Sequence, residues 1–424
     1  MIRIYDSDKM AIDEIIDRGE TKTSAEIEKI VSDVIATVRR DKDEALRAYT
    51  KKFDKADLES FEVTQEEIEE AFASVDKKFL EVLEKAKENI AEFHKRQVRN
   101  NFTINESSGV ILGQKIIPIE KVGVYVPGGT APLPSTVLMT VIPAVIAGVT
   151  EIVMATPPNS EGKVNPVILA AAKIAGVTKI FKMGGAQAIA ALAYGTESIP
   201  CVDKIVGPGN AFVAEAKKQV YGKVGIDMIA GPSDICVVAD GTNDPAVVAA
   251  DMLSQAEHDK LAAAVLITDS RELAENVQAE IEKQIAQLPR EEIARVSIDN
   301  NGKIIVASSI EKAIEISNAV APEHLEICVD NPFDYLNMVK NAGSVFLGKY
   351  CPEPLGDYFA GPNHTLPTNG TARFSSPLSV DDYIKKTAFT YYTADALKNV
   401  SADVAYFARQ EQLEAHARSA EARG

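Results

Sequence analysis

The sequence predicts an α/β protein built on parallel sheets, with helical portions at its two ends. Three observations carry this. Strand-like apolar runs alternate with helix-period segments from about Gly123 to Gly348. A short segment recurs, IAGVTEI at Ile146 to Ile152 returning as IAGVTKI at Ile174 to Ile180, and in each copy a Gly ends a helix before a strand begins. Several strand-to-helix turns are rich in Gly and Pro. The 424 residues, 46% hydrophobic and 25% charged, have globular composition and length for two or more domains.

Taken in order, the start MIRIYDSDKMAIDEI lacks a basic segment followed by an apolar core, so no secretory signal or transit peptide is expected, and residues 1–22 read as an extension. From Thr23 to about Arg99 the chain is charged, with apolar residues such as Ile27, Ile30, Val31 and Val34 at helical spacing and a capping-box candidate at Thr64 to Glu67. This is an amphipathic helical layer. GVYVP then reads as a strand, Ser135 to Ala147 as a helix, EIVMATPP as a strand, Val164 to Ala175 as a helix and KIFKM as a strand. The apolar run Val137 to Ala155 approaches membrane-span length, but Pro143, Gly148, Thr150 and Glu151 interrupt it, so a buried helix followed by a buried strand fits better. Two further units follow: GGAQAIAALAYG leads to DKIVGPGN, and AFVAEAKKQVYG to ICVVAD. The turns VPGGT, TPPNS, MGGAQ, GPGN and AGPSD are all placed at carboxyl ends of strands, the rim where open parallel sheets bind ligands. Singly each punctuates a loop; five on one rim point to a site.

From Asp244 to Gly348 the alternation resumes: helix DPAVVAADMLSQAEHD, strand AAAVLITD, a long polar helix, strand GKIIVAS, helix IEKAIEISNAV, and strands LEICV and SVFLG. A second α/β domain is implied. Tyr350 to Ser376 has no periodicity and reads as a long functional loop. After Asp381 the chain reads as helical to its end, as an exposed or partner-docked tail.

Charge and cysteine usage narrow the function classes. With 62 acidic against 45 basic residues, a net charge of −17 and no long Lys/Arg run, nucleic acid is not an expected partner. No membrane association is expected either. Cys201, Cys236, Cys328 and Cys351 stand apart with no CxxC pair, which argues against a disulfide framework or a cysteine zinc knuckle and for a reducing, cytoplasmic setting.

The five histidines separate by context. His94, in NIAEFHKRQ, reads as a solvated helix residue. Gln255 and His258 lie three apart, about 60° around one helix face, and could share a metal. As a lone pair they serve equally as surface or capping residues; partners could come from Asp357 in LGDYF and His416 in the tail, a donor set suited to Zn²⁺. In APEHLEI, Glu323 and His324 put a carboxyl beside an imidazole just ahead of a strand, either as a proton-transfer pair or as an ordinary turn with a half-buried His. A cysteine nucleophile is disfavoured: Cys236 and Cys328 sit in apolar strands, and Cys201 and Cys351 lack a neighbouring base. No GxGxxG with a downstream acid marks a standard dinucleotide site.

Taken together, VGVYVPGGTAPLPS, GGAQAIAALAYGT, KIVGPGNAFVAEAK, AGPSDICVVAD, LSQAEHD, APEHLEI, GDYFAGPNHTLPT and QLEAHARS resemble the histidinol dehydrogenase family, from about Lys121 to the end. The resemblance implies oxidation of L-histidinol through L-histidinaldehyde to L-histidine, with reduction of two NAD⁺ and one zinc per site. By matching position, Gln255, His258, Asp357 and His416 would be the zinc ligands and would also meet substrate, with Ser233, His324 and Glu411 completing the pocket. Glu323 and His324 would be the acid/base pair, and Tyr125, Gln187 and Asn210 the NAD contacts. His364 would line the pocket or support it.

The resemblance further implies a homodimer with shared sites, Glu411 and His416 of one tail reaching the other subunit. On one helix those two residues point about 140° apart, so the helix must kink or end between them. The implied fold is similar to aldehyde dehydrogenases, with two incomplete Rossmann-like domains. Residues 23–122 with 235–380 would form the first, carrying the helical layer, 123–234 the second, and 381–424 the exchanging tail. Competing readings are a zinc hydrolase using the same ligands, with Glu323 activating water, and a non-catalytic metabolite-binding relative.

Overall fold

The computed structural model describes residues 1–16, 25–128 and 132–423. At its centre are two parallel sheets. The first has strands Lys121–Tyr125, Glu151–Thr156, Lys179–Lys182, Lys204–Val206 and Gly225–Ile226. Counted along the chain they lie in the order 3-2-1-4-5. The second holds Asp234–Ala239, Ala263–Thr268, Lys303–Val306, His324–Cys328 and Ser344–Leu347 in the same 3-2-1-4-5 order, with Arg3–Asp6 added at the edge beside Lys303–Val306. Each sheet therefore has a switch point, between its first and fourth strands, where the winding reverses and a crevice opens.

The internal echo takes the form its glycines require. Helices Pro134–Ala147 and Pro166–Ala175 begin at Pro, whose missing N–H is harmless there, and stop at Gly148 and Gly176 with φ of +91° and +95°. Thr64 and Glu67 form the expected capping box. Among the described residues no helix is long and apolar enough to cross a membrane.

Several expectations need correcting. The helical layer packs on the first sheet rather than on the second, helix Lys77–Lys95 meeting the 235–380 segment through contacts such as Asn89 with Phe359 and His94 with Asn363. Helix Ala25–Phe53, kinked at Lys42, sets Val31, Val38 and Leu46 among Phe181, Ile189 and Leu192. On the opposite face, helices Gln65–Ser74 and Lys77–Lys95 set Ala71, Leu83 and Ile90 among Leu138, Met154 and Ile168. A parallel sheet is apolar on both faces, and these amphipathic stripes complete its cover. Residues 3–6 are a sheet strand rather than part of an extension. Thr23, where the helical pattern was expected to start, lies outside the described residues, as do Gly129 and Thr130 of VPGGT.

After Asp381 the chain first forms a strand, Ile384–Tyr392, antiparallel to Val110–Pro118, which also pairs with Phe102–Ile104. Its sequence IKKTAFTYY is rich in β-formers. Helices Ala394–Lys398, Ser401–Gln410 and Glu414–Glu421 follow. The long polar helix is two, Arg271–Ile285 and Glu291–Asn301, parted at Pro289. The Tyr350 to Ser376 loop contains the short helix Glu353–Tyr358. AGPSD leads into the amino end of Asp234–Ala239, so it does not share the carboxyl rim with the other turns.

Candidate active site

His324 and Asp234 are the first residues of two paired strands, at the amino end of the second sheet's switch point. Asp234 holds both members of the predicted acid/base pair. Its N–H donates to Glu323 Oε2 (3.1 Å), its Oδ1 accepts the Glu323 N–H (2.8 Å), and its carbonyl oxygen lies 3.1 Å from His324 Nδ1. A carbonyl only accepts, so Nδ1 carries the hydrogen and Nε2 the lone pair. Gln255 Nε2, 3.4 Å from Nδ1, is then a neighbour and not a donor to it. His324 Nε2 has no hydrogen-bond partner; Glu353 Oε1 is 3.7 Å away and Asp357 Oδ1 3.8 Å.

Burial sets the protonation states. Glu323 is 6% and His324 3% exposed. Burial lowers the His324 pKa, keeping the imidazole neutral. Burial, then the Asp234 charge, raises Glu323 well above the carboxylate range. Glu353 is pushed up to about 9 by burial and then by Asp357. At neutral pH a protonated Glu353 thus stands beside the neutral imidazole, and Glu323 is shifted in the same direction.

Helix Pro245–Ala256 puts Gln255 in its last turn, with His258 just beyond, and helix Glu353–Tyr358 puts Glu353 and Asp357 four residues apart on one face. The donors fit a divalent ion: Gln255 Oε1, His324 Nε2 and Glu353 Oε1 are buried without partners, and donor atoms of His324, Glu353 and Asp357 lie within 4.8 Å of one another. Amide oxygen, carboxylate and imidazole suit a borderline cation such as Zn²⁺. Ser233 hydrogen-bonds Glu323. His364 Nδ1 is 3.1 Å from the Asp357 carbonyl oxygen and 3.8 Å from its carboxylate, so it holds the helix that carries Asp357.

The structure thus gathers Ser233, Gln255, Glu323, His324 and Asp357. His258 stands exposed at the edge, close enough for its charge to act on His324. Glu411 and His416 are not gathered: both are exposed, and among the described residues no side-chain hydrogen bond or ion pair joins them to the cluster. The helix does end between them, with Gln412 at φ +62° and His416 in the next helix.

His94 is buried, not solvated. Its Nδ1 donates to the Ile90 carbonyl (2.7 Å), Nε2 faces Asn363 Nδ2 (3.3 Å), and burial lowers its pKa. It continues the buried stripe Leu83, Ala86, Ile90, a spacing readable in the sequence. Asp234 and Glu353 went unrecognised there, although Glu353 lies one helical turn before Asp357. Cys236 and Cys328 are buried as expected, and burial pushes the Cys328 thiol pKa up.

Tyr125, Gln187 and Asn210 occupy the carboxyl rim of the first sheet. Tyr125 ends its strand, buried, its hydroxyl accepting the Gly185 N–H (3.0 Å) at the start of the helix that holds Gln187. Asn210 caps helix Ala211–Val220, its Oδ1 accepting from Phe212 and Val213 N–H (both 3.1 Å). Gly207 has φ of +114°, and a Cβ there would lie 2.1 Å from the Tyr125 carbonyl oxygen. Only glycine permits this approach of the GPGN loop to the switch point.

Comparison with known proteins bears on this arrangement. Residues 17–424 match the profile of a family described as histidinol dehydrogenase. The histidinol dehydrogenase of Clostridium acetobutylicum is 57% identical over 402 residues, 95% of this chain and 93% of that protein. That of Bacillus subtilis is 53% identical over 420 residues, covering 99% and 97%. The crystal structure of histidinol dehydrogenase from Elizabethkingia anophelis superposes with a TM-score of 0.94 at 42% identity, over 100% of this chain and 98% of that one. With matching of this extent in sequence and in structure, the chain belongs to the histidinol dehydrogenase family.

Proposed function

We propose that the chain oxidises L-histidinol to L-histidine through L-histidinaldehyde, the final steps of histidine biosynthesis, using two NAD⁺ and a zinc ion held by Gln255, His258, Asp357 and His416. The observation that carries this is the neutral His324 with an unpartnered Nε2 among buried, unpartnered donors. Zinc, when bound, would orient the imidazole and amino groups of the substrate. NAD⁺, when bound, would accept the hydride of each oxidation.

The residues divide the proton work. His324 Nε2 takes the hydroxyl proton as the alcohol carbon is oxidised, and its Nδ1–H, tied to the Asp234 carbonyl, fixes the ring for that transfer. A water molecule then adds to the aldehyde carbon, giving one proton to Glu323 while the carbonyl oxygen takes back the proton His324 holds from the first step. His324 accepts a hydroxyl proton again as the hydrate is oxidised, and the product acid, His324 and Glu323 release their protons to solvent, leaving the carboxylate. Glu323 acts here only once its raised pKa has been exceeded, and the higher pKa makes it the stronger base. Tyr125, Gln187 and Asn210 would seat NAD⁺ at the carboxyl end of a switch point, where doubly wound sheets take dinucleotides.

A homodimer with exchanged tails agrees with the exposure of Glu411 and His416 and with the apolar surface of the C-terminal helices, where Tyr406 and Phe407 are 66% and 67% exposed. Four free thiols agree with a cytoplasmic setting. The test is NADH absorbance with limiting L-histidinol, excess NAD⁺ and zinc-loaded protein, against an EDTA-treated control. Two NADH per histidinol, lost with chelator and restored by zinc, are expected. One NADH would remove the hydration role of Glu323, and none would refute the assignment.

A further inference from the structure

Beneath the GPGN loop lies an ion pair that the proton chemistry does not use. Lys217, on helix Ala211–Val220, pairs with Asp227, which follows strand Gly225–Ile226; their side chains are 2% and 1% exposed. Both ends of the pair fasten one residue. Lys217 Nζ donates to the Gly207 carbonyl (2.9 Å), and Asp227 Oδ2 accepts the Gly207 N–H (2.8 Å). Asp227 Oδ1 also accepts the Met228 N–H (2.7 Å), so the carboxylate is anchored to its own turn. Gly207 is the residue whose backbone presses on the Tyr125 carbonyl, and Asn210 lies three positions on.

Two charges taken out of water are expensive, and a well-packed apolar pair would serve stability as well or better. What an apolar pair could not do is grip both backbone groups of one glycine. We propose that Lys217 and Asp227 are positioning residues for the dinucleotide, holding Gly207 at its left-handed φ so that Asn210 and the end of the Tyr125 strand keep one fixed separation across the switch point. The inference rests on the reading of Tyr125 and Asn210 as cofactor contacts.

The experiment is a titration with NADH, followed by the nucleotide's own fluorescence, which a chain without tryptophan leaves free of energy transfer from that residue. The double variant Lys217→Met/Asp227→Asn removes both charges and leaves neither stranded. Its expected behaviour is an NADH Kd raised at least tenfold and a raised KM for NAD⁺, with the KM for L-histidinol and the zinc content unchanged. An NADH Kd within twofold of the parent overturns the proposal, and so does an equal rise in both KM values. Should the double variant not fold, Lys217→Gln/Asp227→Asn, which is likewise neutral at both positions and changes side-chain volume less, decides by the same criteria. Asn210→Ala is the companion variant. If it weakens NADH while the double variant does not, the positioning role falls and the seat stands; if it leaves NADH binding intact, the seat lies elsewhere and the proposal falls with it.

Discussion

At the scale of single residues, Asp234 positions both members of the proposed acid/base pair without itself taking a proton in the proposed reaction. Its carbonyl fixes the tautomer of His324, and its carboxylate holds the Glu323 backbone and helps keep that side chain protonated. The two halves of the reaction should therefore rise with pH in separate windows, the first lower and the second higher. The lowered pKa of His324 keeps its base form present below the ordinary value of 6.5, so alcohol oxidation persists into mild acid. The raised pKa of Glu323 moves its base form upward, so aldehyde oxidation should rise with pH above the carboxylate range. Replacing Glu323 by Gln should spare the first oxidation and slow the second by about 10²–10⁴-fold, with one rapid NADH per histidinol and loss of that rise; stopped-flow absorbance across pH reads both. Glu323 and His324 were legible as neighbours in a scarce-histidine sequence. Glu353 was not, because nothing marks a short helix inside a Pro- and Gly-rich stretch.

At the scale of elements, the alternating middle of the chain was legible because its strands are apolar and Gly148, Gly176 and Gly195 close three successive helices. The edges were less so. Arg3–Asp6 is four residues long and gains its identity only by pairing with Lys303–Val306. Ile2, just before it, is 1% exposed, and its carbonyl accepts from Gln278 Nε2 (2.7 Å). Ile2→Ala should cost about 2–5 kcal/mol, seen as a lower denaturant midpoint, with the turnover of folded enzyme unchanged. The strand Ile384–Tyr392 escaped notice for a different reason: it is exposed along most of its length, so no burial pattern distinguishes it from a polar tail.

At the scale of the whole molecule, the C-terminal helices pack on each other through Ala405, Ala408 and Ala417, separately from the main cores. If their residues complete a neighbour's site, subunits should complement one another. Glu323→Gln and His416→Ala homodimers would both fail the second oxidation, whereas a co-expressed mixture should regain roughly a quarter of the parent activity, since half the dimers are mixed and each has one intact site. No recovery in purified mixed dimers would place His416 within its own subunit's site. The two sheets share one strand order, yet the proposed sites lie at opposite ends, the proposed cofactor residues at the carboxyl rim of the first and the proposed acid/base pair at the amino rim of the second. The carboxyl rim of the second sheet, at turns such as Asp240 to Asn243, therefore carries none of the assigned residues. A sensor domain or affinity tag spliced into that turn would ride on the scaffold at the far end of the strands from the reaction, which makes it the natural graft point for anyone wishing to couple this catalyst to another module.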